Sequence, residues 1–389
     1  MKTILKALIA CSLAAAFAFA NDDNATQSSD TNAKQPALLE EEFIETKAQQ
    51  LTPLELITQY NQTIKLSQND IDAYFGRANA YSELGEYKKA VVDYAKVISL
   101  NANYAEAYLG RGYAYRKLGE TGKAIADFSK TIEIDQGYTS AYIGRALAYS
   151  GLGEAHKAIV DFNEAIKLDS GDAFVYYNRA LAFKDLGEHQ KAVDDYSEAI
   201  ALGHNTADIY TNRAIAYQAL GASNEAVDDY AKAIELNPND VKIYLARGNA
   251  YNNLGEYERA IEDYNHVIKV DKNNKEVVFG RANAYRKLGN YNLAIASFTQ
   301  MIKDNPNDAK AYYGRALSYR ALGDRRKALS DYDQAIKRDR NYANAYYNRG
   351  ILYAELDDYK SATKDARKAC DLGNCDLVQS MAQEKLLRD

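Results

Sequence analysis

From Ile71 onward, apolar residues recur at helical spacing in short runs that stop at a constant distance. Tyr74, Ala78 and Tyr81 fall three and four apart and end at Gly85, and Ala90, Tyr94 and Val97 follow beyond it with the same spacing. Side chains at i, i+4 and i+7 share one face of a helix, so the pattern predicts two helices joined at the glycine. Glycine suits that junction because it takes left-handed dihedrals without a Cβ penalty. The pattern then returns every 34 residues without insertion or deletion. Tyr74 recurs as Tyr108, Tyr142, Tyr176, Tyr210, Tyr244, Val278, Tyr312 and Tyr346, and Ala90 as an alanine in every later unit up to Ala362. Gly85 recurs as glycine up to Gly323, with Asp357 in the ninth unit.

A hairpin of this kind exposes an apolar face that the next hairpin covers, so stability accumulates along a stack whose ends need caps. The expected fold is therefore all-α, with nine helix pairs over residues 71–376. Residues 51–70 read as an N-terminal capping helix. Pro53 suits a first helical turn, and Leu56, Tyr60 and Ile64 fall one period before Ala90, Tyr94 and Ile98. At the other end, Leu377 to Leu387 fits a covering helix within a 377–389 cap. Residues 21–50 read as a flexible leader, since 21–36 are rich in Asn, Asp, Thr, Ser and Gln and carry too little apolar surface to offset ordering.

Composition changes the picture at the N-terminus. Lys2 and Lys6, an apolar run over Ala7 to Phe17 and Ala18-Phe19-Ala20 read as a secretory signal over residues 1–20, which predicts export, with the periplasm as the expected compartment. A lipobox-like Leu8-Ile9-Ala10-Cys11 offers the alternative of lipid attachment at Cys11, and a chain released outside the cell is a further one. The net charge of −6 becomes more negative once both lysines are removed, so no nucleic-acid partner is expected. No later run is long and apolar enough to span a membrane. Asn24-Ala25-Thr26, preceded by Asp22, is a glycosylation candidate at Asn24. Cys370 and Cys375 are then the remaining cysteines, and in an oxidising compartment such a pair can close a short disulfide.

Each unit also carries an arginine three residues after the tyrosine: Arg77, Arg111, Arg145, Arg179, Arg213, Arg247, Arg281, Arg315 and Arg349. Sixteen residues on comes an aspartate in eight units, from Asp93 to Asp365. The spacing places the two on facing sides of one hairpin, which reads as a structural ion pair; the competing reading is an arginine ladder for an acidic ligand. The seventh unit departs, with Ser297 for the acid and Val278 for the tyrosine, and makes Arg281 a candidate unpaired arginine.

The recurring Tyr74, Ala78, Tyr81, Ala90 and Tyr94 resemble the tetratricopeptide repeat, over nine units in register. The family's usual leucine is the arginine here, and its proline survives only as Pro238 and Pro306. The resemblance implies a right-handed superhelical solenoid whose first helices line a groove for an extended peptide. The groove residues it implies include Phe75, Asn79, Tyr113, Tyr177, Asn249, Phe279, Asn283, Tyr313 and Tyr347. It also implies a non-enzymatic adaptor with a protein or peptide partner; a glycan-binding protein using a tyrosine-rich surface is the alternative. His156, His189, His204 and His266 occupy different repeat positions with no metal-ligand spacing and read as scattered surface residues. The glycines follow the repeat rather than a phosphate loop, so neither a metal nor a cofactor is expected.

Overall fold

The computed structural model describes residues 51–388 apart from residue 273, so Cys11, Asn24, the signal segment and the whole leader lie outside the described residues. Twenty helices and no strand occur among the described residues. The chain forms two compact units, divided between Ser170 and Gly171.

The first unit holds α1 (Pro53–Leu66), α2 (Ile71–Glu83), α3 (Tyr87–Leu100), α4 (Ala105–Lys117), α5 (Thr121–Ile134), α6 (Thr139–Gly151) and α7 (Ala155–Leu168). The second holds α8 (Ala173–Asp185), α9 (His189–Ala201), α10 (Ala207–Ala219), α11 (Ser223–Leu236), α12 (Val241–Leu254), α13 (Tyr257–Val270) and α14 (Lys275–Lys287). It continues with α15 (Tyr291–Asp304), α16 (Ala309–Ala321), α17 (Arg325–Arg338), α18 (Ala343–Ala354), α19 (Tyr359–Asp371) and α20 (Asp376–Gln383). Within each unit every helix packs on the next, so the element is the helix pair.

Local chemistry explains the boundaries. Pro53 sits in the first turn of α1, and the Thr52 hydroxyl and Glu55 carboxylate form a reciprocal capping box there. The Asp70 side chain accepts from Ala73 N at 2.9 Å and starts α2. Gly85 takes φ +73° at the hairpin turn, and Asp357 adopts the same left-handed region in the ninth, at φ 62°. An aspartate tolerates that conformation better than most residues, because its short polar side chain can bond locally.

Second helices supply a large ring to each core and first helices supply small residues to receive it. Phe298 of α15 is fully buried, and a Cβ on Gly314 of α16 would come within 2.4 Å of its ring, so only glycine fits there. The ninth second helix carries Ala366 instead of a ring. Leu377 of α20 fills the gap, packing with Met381 against Ala362 and Ala366.

The covering helix is shorter than its sequence predicts, ending at Gln383 rather than Leu387. Lys385 turns left-handed at φ 55°, and Leu386 N donates to Met381 O at 2.9 Å, the closure that ends a helix in a Schellman motif. The last residues then fold back, and Arg388 N donates to Thr363 Oγ1 at 2.9 Å.

Candidate partner-binding face and the arginine ladder

All eight arginine–aspartate pairs form as two-point contacts. Arg77 Nε and Nη2 each lie 2.7 Å from Asp93 oxygens, and Arg315 Nε and Nη2 lie 2.7 and 2.8 Å from Asp331. The same geometry joins Arg111 to Asp127, Arg145 to Asp161, Arg179 to Asp195, Arg213 to Asp229, Arg247 to Asp263 and Arg349 to Asp365. The aspartates are buried in every case, which removes them and the arginine edge they cover from any ligand. The pairs are thus structural.

The typical guanidinium has two further supports. Its Nη1 donates to a side chain of the preceding second helix in several hairpins, as Arg145 does to Ser129 at 3.0 Å and Arg213 to Ser197 at 2.9 Å. Its faces meet aromatic rings three residues before and four after on the same helix. Arg247 lies 5.7 Å from both the Tyr244 and Tyr251 ring centres. That sandwich was missed in the sequence, although aromatic residues at i−3 and i+4 around every arginine except Arg281 were the signal for it. The Asp93 carboxylate pushes the Arg77 guanidinium further up against the opposing effect of burial. At Asp195 burial outweighs the partner, and the carboxyl titrates above the ordinary range despite Arg179.

The seventh hairpin, α14 with α15, lacks most of this. Arg281 keeps its Nη1 contact to Asn265 Oδ1 at 2.6 Å and one ring, Tyr285 at 6.0 Å, but its Nε is buried without a partner. No carboxylate lies within ion-pair distance of it among the described residues. Two other polar groups of α14 are equally open. Arg286 Nε is buried and unpaired, as is that of its counterpart Arg116 in the second hairpin, and Asn283 makes no hydrogen bond among the described residues. The reason is visible at Asn249 and Asn79, which accept from the Tyr264 hydroxyl at 2.8 Å and the Tyr94 hydroxyl at 2.6 Å. The seventh hairpin has Phe298 at the corresponding position, with no hydroxyl to give.

The implied groove residues divide. Phe75 is a correction: it is 3% exposed, and its ring lies against Tyr94 and Tyr104 at 5.9 and 5.1 Å, so the following hairpin covers it and it offers no partner surface. Asn79 and Asn249 are half-buried, with their oxygens occupied as above. Tyr113 is half-buried and donates its hydroxyl to Ser140 O at 2.8 Å. Tyr177 stacks on His204 at 5.0 Å, and Phe279 meets Phe298 edge-on at 5.9 Å. Tyr313 lies against Tyr342 at 4.9 Å and accepts from Asn348 Nδ2 at 2.9 Å. Burial raises the Tyr313 hydroxyl while the nearby charges of Arg286 and Arg320 oppose it, so these two arginines belong to the same face. Their place seven residues after Phe279 and Tyr313 was the available sequence signal. Tyr347 and Ile351 open into a cavity of about 410 Å³ that Leu377, Met381, Glu355 and Glu384 complete.

The histidines are not all scattered on the surface as expected. His156 is exposed, but His204 and His266 stack on tyrosine rings, His266 only 3.9 Å from Tyr244, and His189 Nδ1 is buried without a partner. Burial pushes the His204 imidazole below its ordinary value. Cys370 and Cys375 face one another at the α19–α20 turn, with Cα atoms 4.0 Å apart. No group of three or more potential metal ligands and no helix long and apolar enough to cross a membrane occur among the described residues.

Sequence patterns described as "Tetratricopeptide repeat" match residues 105–138, 207–240 and 309–342, then 59–92, 230–262 and 331–364, and again 139–172. One described as "TPR repeat" matches 78–119, 181–221, 248–287 and 282–323. Among solved structures, a tetratricopeptide repeat protein from Parabacteroides merdae is 24% identical, covering 65% of this chain and 98% of its own, with a TM-score of 0.48. MamA from Desulfovibrio magneticus is 25% identical over 43% of this chain and 94% of its own, with a TM-score of 0.40. YrrB, described as a TPR protein with an unusual peptide-binding site, is 22% identical over 57% and 97%, with a TM-score of 0.37. No curated protein matches.

Proposed function

The chain belongs to the tetratricopeptide repeat family, whose members are protein-interaction scaffolds, and from that premise we propose that it is an exported envelope adaptor that binds an extended segment of a protein partner along its first helices. The observation that carries this reading is the face of α14. Phe279, Asn283 and Arg286 lie at i, i+4 and i+7 and so form one stripe, with an apolar ring, a free amide and an unpaired buried guanidinium nitrogen. An extended peptide needs that combination: an apolar anchor, a group to hold its backbone, and a donor for an acceptor side chain. The cavity beside Tyr347 adds room for a second anchor in α18. Export into the periplasm rests on the residue 1–20 signal, and there Cys370 and Cys375 are placed to join α19 to the covering helix.

The glycan reading loses its main support. Most tyrosines that suggested it are sandwiching arginines or buried as core rings such as Tyr196, Tyr230, Tyr264 and Tyr332. The test is capture of partners from envelope extract by the chain starting at Asn21, followed by binding of the captured protein to Asn283→Ala and Arg286→Ala. Loss of binding by folded variants supports the adaptor. Unchanged binding, or retention of the chain on purified peptidoglycan instead, defeats it.

A further inference from the structure

In eight hairpins an aspartate fills one defined seat, against the Nε–Nη2 edge of the arginine. In the seventh the seat is built and empty of acid. Arg281 is held as its counterparts are: its Nη1 donates to Asn265 on the preceding second helix, as Arg77 Nη1 does to Asn61 at 2.6 Å, and Tyr285 lies beneath it. Nη1 and one face of the guanidinium are thus fixed as in the other hairpins, and Ser297 stands at the repeat position their aspartate holds. Ser297 does not answer the arginine. Its hydroxyl donates to Leu293 O at 2.9 Å, within its own helix. Nε is left buried without any partner, and Nη2 makes no hydrogen bond among the described residues.

Two substitutions also thin the cover of the seat. Ser297 is partly exposed, whereas the eight aspartates in its position are buried. Val278 replaces the tyrosine that would lie on the other face of the guanidinium, so Arg281 has one ring where Arg315 has two. An arginine edge with two parallel donors matches a carboxylate in both spacing and plane, and a buried guanidinium nitrogen without an acceptor costs free energy that such a ligand would recover.

We propose that the Arg281 seat is a carboxylate-binding site, taking in the seventh hairpin from outside the chain what Asp93 to Asp365 supply within it. Arg281 Nε and Nη2 hold the two oxygens. This site is separate from the Phe279–Asn283–Arg286 stripe, since residues 281 and 285 lie on a different face of α14. The carboxylate comes from a small organic acid or from an acidic side chain of a partner, and the test distinguishes the two.

Melting temperatures of the full chain are compared in sodium acetate and sodium chloride at equal ionic strength, and with a blocked short peptide carrying one aspartate or, as control, one asparagine. The wild-type chain is expected to gain about 2 °C in acetate over chloride. Ser297→Asp keeps Arg281 and occupies the seat; it is expected to melt higher in chloride and to lose the acetate increment. Stabilisation by both acetate and the aspartate peptide supports a site open to any carboxylate, and stabilisation by the peptide alone supports a carried side chain. No increment in the wild type from either probe, or the same increment in Ser297→Asp, overturns the proposal.

Discussion

The seventh and eighth hairpins differ at 22 of their 34 positions, and the differences around one arginine separate what holds a repeat together from what a repeat can offer. The eighth buries the Arg315–Asp331 pair, stacks Arg315 on Tyr312 and Tyr319, and covers Tyr319 with Lys327. The seventh has the same arginine with no acid, one ring instead of two, and Leu293 where the lysine would be. Yet both keep a fully buried core ring, Phe298 and Tyr332. The central ring of the core is thus kept, and the polar layer around the arginine is where the hairpins diverge. One layer folds the repeat; relaxing the other frees Arg281 and Asn283.

The largest expected effects test the claim that the cores are equivalent. Phe298→Ala and Tyr332→Ala should each cost about 3–5 kcal/mol, read by denaturant unfolding together with hydrogen exchange of the affected helices. A much smaller loss for Phe298→Ala would mean that the seventh hairpin is loosely packed throughout, and the contrast would no longer be one of polar layers. Next in size, Gly314→Ala should cost about 1–3 kcal/mol, because its Cβ would collide with the Phe298 ring. If Gly314→Ala proves neutral, α15 and α16 can separate without loss, and the tight ring-to-glycine contact does not hold them.

These effects depend on features that were legible in the sequence to different degrees. The helix pairs could be read because one spacing recurs nine times, so each position is specified repeatedly. The Arg–Asp pairs could be read because both partners sit in one hairpin. Phe75 could not be placed by the same logic. Whether a first-helix ring is exposed depends on the next hairpin, and Tyr104, from the following turn, lies over it. The early end of α20 was also hidden, since a left-handed lysine such as Lys385 has no distinctive sequence signal. The open groups of α14 were half visible. Ser297 marked Arg281, but Asn283 becomes free only because Phe298 lacks the hydroxyl that Tyr264 gives Asn249.

The smallest expected effect concerns pH. His204, stacked on Tyr177, has its folded value depressed below the ordinary 6.5 by burial. Its unfolded form therefore binds a proton more readily, and the His204 contribution is intact above pH 6.5 and is lost as pH falls below it. Melting curves from neutral pH to pH 5 should show less acid destabilisation in His204→Gln than in the wild type. An unchanged slope would show that the stacked imidazole protonates as freely folded as unfolded.

The recurring pair secures the hairpins, and the seventh does without it. Thermal melting of Asp195→Ala and Ser297→Ala, in the full chain and side by side, tests this most directly. Removing Asp195 leaves Arg179 half-buried without its acid, and the loss should be about 3 kcal/mol. Removing the Ser297 hydroxyl deletes only a bond within its own helix and should change stability by less than about 0.5 kcal/mol. Equal losses in the two variants would contradict the claim.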